Sequence, residues 1–318
     1  MGKYVAGVDL GGTKIYTALA DDSGRLLAET IVATGAGDGG EAVVRRIAAT
    51  VAEVCASGGS GVDISALGIG VPGPINPATG LVDQAPNLGW RNVPVKEILQ
   101  QTLGVPVLAD NDANLAALGE HRFGAGAGVR NMVYVTVSTG IGGGLILDGK
   151  IYHGVSGAAG ELGHMVIDPL GPLCSCGRRG CLEALASGTA MANRARELVA
   201  AGCGQAILHK AGGRAENIDA LTVAAAAAGG DGEAIDILKD AGKALGMGLA
   251  NLVNLLNPAL VVLGGGAMNA GRLLWETMEQ ELKVRALAAA LENLRVVPAA
   301  LGKRSGLMGA VALALRGR

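Results

Sequence analysis

A chain of 318 residues has the length for two ordinary domains, and its formal net charge of −2, with the basic residues dispersed, excludes the electrostatic footprint of a nucleic-acid or anionic-lipid binder. Half of the residues are apolar, yet the uncharged stretch over 244–270 is interrupted by Asn251, Asn254 and Asn257 and then by Pro258 and three glycines, so it reads as a buried helix followed by a buried strand and not as a membrane span. Five cysteines are an odd count, and three of them crowd into residues 174–181, which favours a metal over disulfides.

Glycine is abundant at 53 residues and aromatics make up only 2%, a composition that suits α/β layers with many tight turns. The first apolar run, residues 4–10, carries Asp9 and lacks a signal-peptide pattern, which points to the cytoplasm. That strand breaks at Gly11-Gly12-Thr13-Lys14, and a second strand follows over 15–20. Residues 41–56 place Val43, Ile47, Val51 and Val54 at helical spacing. Strands are predicted over 67–71, ending at Pro72-Gly73-Pro74, and over 105–109, ending in Asp110-Asn111-Asp112 before a helix over 113–122. Residues 132–137 form a strand, Ser138-Thr139-Gly140 a turn and 143–147 a further strand, repeating the strand–turn–strand design of the first twenty residues. Helices follow over 187–201 and 233–257, then a buried strand over 260–263 that opens into Gly264-Gly265-Gly266. The repeated opening unit suggests a duplicated α/β domain.

Ligands in open α/β sheets bind at the carboxyl ends of strands, where Asp9, Asp112, Thr139 and the 264–266 turn are predicted to sit. Gly11-Gly12-Thr13-Lys14 precedes a strand and not a helix, which excludes a Rossmann fingerprint or a P-loop. Such a hairpin turn still offers successive N–H groups to phosphate oxygens, with the Thr13 hydroxyl and Lys14 charge beside them. Asp9 can hold Mg²⁺ through water, Ser138-Thr139-Gly140 supplies a second set of donors, and Gly264-Gly265-Gly266 lets an adenine ring approach the backbone. A single turn of this kind is more often a structural hairpin; the combination is the signal.

His164, Cys174, Cys176 and Cys181 make one imidazole and three thiolates, the donor set of a closed structural zinc site. Cys174 and Cys176 are too close in sequence to bridge comfortably, while Cys55 and Cys203 belong in or beside helices and read as inert. Glu161 and Glu183 flank the cluster and are suited to accept bonds from sugar hydroxyls; solvated turn residues are the plain alternative. Asp112 is the best candidate for a general base, and equally a candidate helix N-cap. Asp110 competes for either role, and Asn111 can orient a hydroxyl.

At these residues the chain resembles the ROK group of sugar kinases and related repressors. The segments that carry the likeness are Val8-Asp9-Leu10-Gly11-Gly12-Thr13-Lys14, Asn111-Asp112-Ala113-Asn114, Gly160-Glu161-Leu162-Gly163-His164 and the Cys174–Glu183 run. The resemblance implies a duplicated RNase H-like, actin/hexokinase-like fold in two domains, with a cleft that closes on sugar. It implies Asp112 as general base, and hexose contacts from Asn87, Asn111, Asp112, Glu161, His164 and Glu183. Residues 1–110 with 303–318 are expected to form a smaller domain, and 111–302 a larger one bearing the zinc loop. The repressors of the group carry an amino-terminal DNA-binding extension, for which the strand beginning by Tyr4 leaves no room. Pro86-Asn87-Leu88-Gly89-Trp90 is most similar to bacterial glucokinases, which implies transfer from ATP, with Mg²⁺, to the 6-hydroxyl of glucose in a homodimer or homotetramer. Kinases for fructose, mannose, allose or N-acetylhexosamine share most of the signature, and a sugar sensor that has lost transfer is the second class of reading.

Overall fold

The computed structural model describes residues 4–59 and 61–317. Residues 1–3, 60 and 318, part of the smaller domain expected from sequence, lie outside the described residues.

The chain begins with β1 (Tyr4–Leu10), β2 (Lys14–Ala20), β3 (Leu26–Ala33), α1 (Gly40–Ser57) and β4 (Ile64–Val71). There follow β5 (Ile75–Asn76), β6 (Leu81–Ala85), β7 (Trp90–Pro94), α2 (Val95–Leu103), β8 (Val107–Asn111) and α3 (Asp112–Phe123). It continues with β9 (Met132–Val137), β10 (Ile141–Leu147), β11 (Lys150–Ile151), α4 (Leu182–Ala186), α5 (Gly188–Ala200), α6 (Gln205–Lys210) and α7 (Ala220–Ala228). The last elements are α8 (Gly232–Leu256), β12 (Leu260–Gly264), α9 (Arg272–Arg285), α10 (Ala288–Leu291), β13 (Arg295–Pro298) and α11 (Ser305–Arg316). Two five-stranded sheets have the orders β3-β2-β1-β4-β8 and β11-β10-β9-β12-β13. Numbered by appearance within each sheet, both read three-two-one-four-five. The duplication predicted from two strand–turn–strand units is therefore present in strand order.

Contacts divide the chain into two compact units, Met1–Tyr134 with Gly144–Gly160 and Ala299–Arg318, and Val135–Gly143 with Glu161–Pro298. In the first unit β1 and β2 form an antiparallel hairpin with Leu10 opposite Ile15, and β1, β4 and β8 run parallel. Central strands are covered on both faces, so β1 buries Val5, Ala6, Val8 and Leu10 instead of alternating, while the edge strand β3 alternates between partly buried and exposed residues. The main core joins Val8, Leu10, Leu67 and Ile69 to Val43, Ile47 and Val51 of α1 and Leu99 of α2. On the opposite face α3 and α11 pack closely because small residues line their contact. A Cβ at Gly119 would stand 2.2 Å from the Ser305 carbonyl, and one at Gly309 would stand 1.7 Å from that of Leu115. This packing puts α3 in the first unit, beyond the boundary at 110 expected from sequence.

Glu120 is wholly buried in α3. Its Oε2 accepts from the backbone N–H groups of Ala125 and Ala300, and its Oε1 accepts from Leu301 N–H and Ser305 Oγ, all at 2.8–3.0 Å. The carboxylate thereby pins the returning 300–305 segment, from which α11 starts. Glu120→Ala leaves those donors buried without an acceptor and is expected to destabilise the protein by about 3–5 kcal/mol, read by urea denaturation. A loss below about 1 kcal/mol would mean that packing alone holds the segment.

In the second unit β12 and β13 pair in parallel, and α8 is the central helix. Gly242 and Gly246 admit α9, and Gly248 admits Leu182 of α4. Asn257 ends α8 in the left-handed region at φ 42°, and Pro258 prevents its continuation. Among the described residues no helix is long and apolar enough to cross a membrane.

Candidate active site and metal centre

The β1–β2 turn is built by its own backbone. Gly11 N–H donates to the Lys14 carbonyl at 2.9 Å, Thr34 N–H to that of Thr13 at 3.0 Å, and Thr34 Oγ1 to that of Gly11 at 2.7 Å. Gly11 thus spends its N–H on closing the turn, which leaves Gly12 and Thr13 at the tip as the anion-facing candidates. Gly12 also has a packing reason, since a Cβ there would lie 3.0 Å from Asn87 Cβ. That approach sets a predicted sugar contact against a predicted phosphate turn. Lys14 begins β2, and its ammonium stands 5.6 Å over the Tyr16 ring. Asp9, next to last in β1, lies beside the first turn of α11: a Cβ at Gly306 would come within 3.0 Å of its carboxylate. Burial raises the Asp9 carboxyl above its ordinary pKa, with Lys14 opposing the shift. A carboxylate at this end of a strand is a donor type that suits a hydrated Mg²⁺.

The β8–α3 corner shows which side chain caps the helix. β8 runs to Asn111, two residues further than predicted, so Asn111 is the N-cap of α3: its Oδ1 accepts from Ala113 N–H at 2.9 Å and Asn114 N–H at 3.3 Å. Asn111 Nδ2 donates to the Gly73 carbonyl at 3.2 Å. Asp112 is therefore the first helical residue, and its Oδ1 accepts from Ala113 N–H at 2.8 Å. Asp110 is buried, with Oδ1 accepting from Asn111 N–H and Asn114 Nδ2 and Oδ2 held by His153 Nε2 at 2.7 Å. Both Asp110 oxygens are thus engaged inside the protein.

In the second unit the predicted metal ligands converge. One ligand atom from each of His164, Cys174, Cys176 and Cys181 lies within 4.8 Å of all the others. Cys174 Sγ stands 3.7 Å from His164 Nδ1, and Cys176 Sγ stands 3.6 Å from Cys181 Sγ. Sulfur and nitrogen ligands of a tetrahedral zinc, bound at about 2.3 and 2.0 Å, lie roughly 3.5–3.8 Å from one another, so the donors fit the ion in kind and spacing. All of these cysteines are free, and a disulfide would need its sulfurs near 2 Å. Without metal, the Arg178 backbone N–H draws the Cys176 thiol down to about 7, while burial pushes Cys181 up to about 12. A metal bound here would displace thiol protons. The knuckle is closed by Cys174 N–H to the Arg178 carbonyl at 2.7 Å, and Gly180, at φ 70°, lies where a Cβ would strike the Asp168 carbonyl.

The outward nitrogen of His164, Nε2, is 3.9 Å from Glu161 Oε2, too far for a direct bond and near enough for one hydroxyl to bond both. Glu183, in the first turn of α4, accepts from Ile141 N–H at 2.9 Å through Oε2, and Ser175 Oγ approaches its Oε1 at 3.4 Å. Glu183 therefore links the metal knuckle to the turn that opens β10. That turn, Ser138-Thr139-Gly140, is docked on α5, with Gly188 N–H donating to the Ser138 carbonyl at 2.7 Å. A pocket of about 310 Å³ is lined by Ser138, Thr139, Gly188, Thr189, Arg196, Asp219, Leu221, Gly266 and neighbours. Of the predicted adenine-approach glycines, Gly266 lines this pocket with open space beside its Cα. Gly264 is buried as the last residue of β12, and Gly265, at φ 90°, packs on Val137. Sequence reading missed Gly188, Thr189, Arg196 and Asp219. Only Asp219 left a signal, an Asp-x-x-Thr capping box with Thr222 opening α7. Arg196 braces this wall, its NH2 donating to the Ile218 carbonyl at 2.5 Å.

Two sheets of one strand order, each opened by a strand–turn–strand unit, define the duplicated RNase H-like fold of the actin and hexokinase class. A model of the ROK family matches residues 5–317, and the chain belongs to that family. A glucokinase of Halalkalibacterium halodurans is 38% identical over 315 residues, 96% of this chain and 93% of that protein. A solved ROK family glucokinase from Streptomyces griseus, in complex with glucose and AMPPNP, matches with a TM-score of 0.84 at 36% identity, covering 99% of this chain and 100% of the other. The xylose repressor of Caldicellulosiruptor bescii is 35% identical over 98% of this chain and 78% of its own length.

Proposed function

We propose that the protein is a glucokinase that transfers the γ-phosphoryl group of ATP to the 6-hydroxyl of glucose, with Asp112 as general base. The observation that carries this reading is the β8–α3 corner. Asn111 caps the helix, so Asp112 is not needed for that task and stands at a fixed strand-to-helix junction. Likeness along nearly the whole chain to glucokinases supports the substrate and donor.

In the proposed reaction O6 of glucose attacks the γ-phosphorus, its proton passes to the Asp112 carboxylate, and the bond to the β,γ-bridging oxygen breaks. ADP leaves with that electron pair. Asn87, Asn111, Glu161, His164 and Glu183 bond the remaining hydroxyls, with one hydroxyl seated between Glu161 and His164 Nε2. Gly12, Thr13, Thr139 and Gly140 receive the phosphates, and Gly266 borders the adenine. Asp9 would hold Mg²⁺ through water, and that ion supplies charge neutralisation on the transferring phosphates. His164, Cys174, Cys176 and Cys181 would hold zinc, which supplies rigidity to the sugar-binding loop. The enzyme works in the cytoplasm, where ATP is supplied, as a homodimer or homotetramer.

A coupled ADP-release assay across glucose, fructose, mannose, allose and N-acetylhexosamines, with ATP and polyphosphate as donors, tests the reading. The expected result is turnover with ATP that is fastest on glucose. A faster hexose would move the specificity. Absence of ADP release with every sugar would instead support a sensor without transfer, the reading that likeness to the repressor favours.

A further inference from the structure

His153 follows β11, and its loop is pinned by Ala159 N–H donating to the His153 carbonyl at 3.0 Å. Its Nε2 meets Asp110 Oδ2 at 2.7 Å, and the Asp110 side chain is 3% exposed. The other Asp110 oxygen accepts from Asn111 N–H at 2.8 Å and from Asn114 Nδ2 at 3.0 Å. The hydrogen bond to Asp110 raises the His153 imidazole above its ordinary pKa and so favours its charged form, against the opposing effect of burial. Arg316, at the end of α11, is within electrostatic reach of Asp110, while His153 is in hydrogen-bond contact with it.

We infer that His153 is a positioning residue for Asp112: its hydrogen bond holds the Asp110 carboxylate in place, Asp110 fixes Asn111 and Asn114, and these set the direction in which Asp112 leaves the β8–α3 corner. This rests on the glucokinase reading. Wild-type glucose phosphorylation is therefore measured first, and its absence refutes that reading and not this link. In the active enzyme His153→Gln keeps an N–H near the place of Nε2 without the charge that strengthens the bond. It is expected to lower kcat by about ten- to a hundredfold while KM for ATP stays within about twofold, since a small misplacement of the base acts on the chemical step. His153→Ala, which also lacks the donor, loses at least as much. In an Asp110→Asn background the carboxylate that this bond holds is gone, and His153→Gln then lowers kcat by less than about threefold. Melting temperatures confirm that each variant is folded. A folded His153→Gln enzyme with kcat within about twofold of wild type overturns the inference, as do equal losses in the two backgrounds.

Discussion

Asp112→Asn is expected to lower kcat for glucose phosphorylation by about 10²–10⁴-fold, the range associated with a positioned general base. Asparagine matches the size of aspartate but cannot take the O6 proton. The structure makes the comparison clean, because the cap of α3 is the Asn111 side chain. The Asp112 Oδ1 bond from Ala113 N–H is one an asparagine oxygen can accept equally well. Melting temperature should stay within a few degrees of wild type, and glucose affinity by calorimetry should fall far less than turnover. Turnover within a few-fold of wild type would remove Asp112 from the chemistry and return the residue to a structural role.

Loss of the metal centre is expected to separate the two substrates. Cys176→Ala removes one thiolate from a closed donor set, so bound zinc, read by elemental analysis, should drop to background in protein purified without added metal. Glucose affinity should then fall roughly 10–100-fold, because His164 loses the ion that orients its ring and Glu161 and Glu183 lose a rigid frame. ATP affinity should change by no more than about threefold. The pocket beside Thr139 and Gly266 is formed by α5, the α7 entry and the end of β12, not by the knuckle. Its link to the knuckle is the Glu183 bond to Ile141 N–H, which the variant retains in sequence. Unchanged zinc content in Cys176→Ala would rule out the proposed ligand set.

Much of the fold was legible because its signals are local. Strand edges differed from prediction by only a few residues, and Asn257-Pro258 marked the end of α8 through backbone chemistry alone. Glycines were legible as turns but not in purpose. Gly265 answers to the Val137 backbone and Gly266 to open space, a distinction that needs the neighbouring strand. Arg196 and Asp219 gave no sign of a common pocket, since α5 and the entry to α7 meet only when the chain folds.

The grouping of His164, Cys174, Cys176 and Cys181 was legible in the sequence from residue type and close spacing, and the fold brings the four side chains together. Legible too was the repeated strand–turn–strand design, which follows from apolar periodicity and glycine placement. Which of Asn111 and Asp112 caps α3 was decided only by tertiary structure. Both side chains cap helices well, and the choice depends on how far β4 pairing carries β8 before the chain turns. The same holds for Asp110. Nothing in the order of residues foretells that His153, 43 positions later, returns to engage its carboxylate.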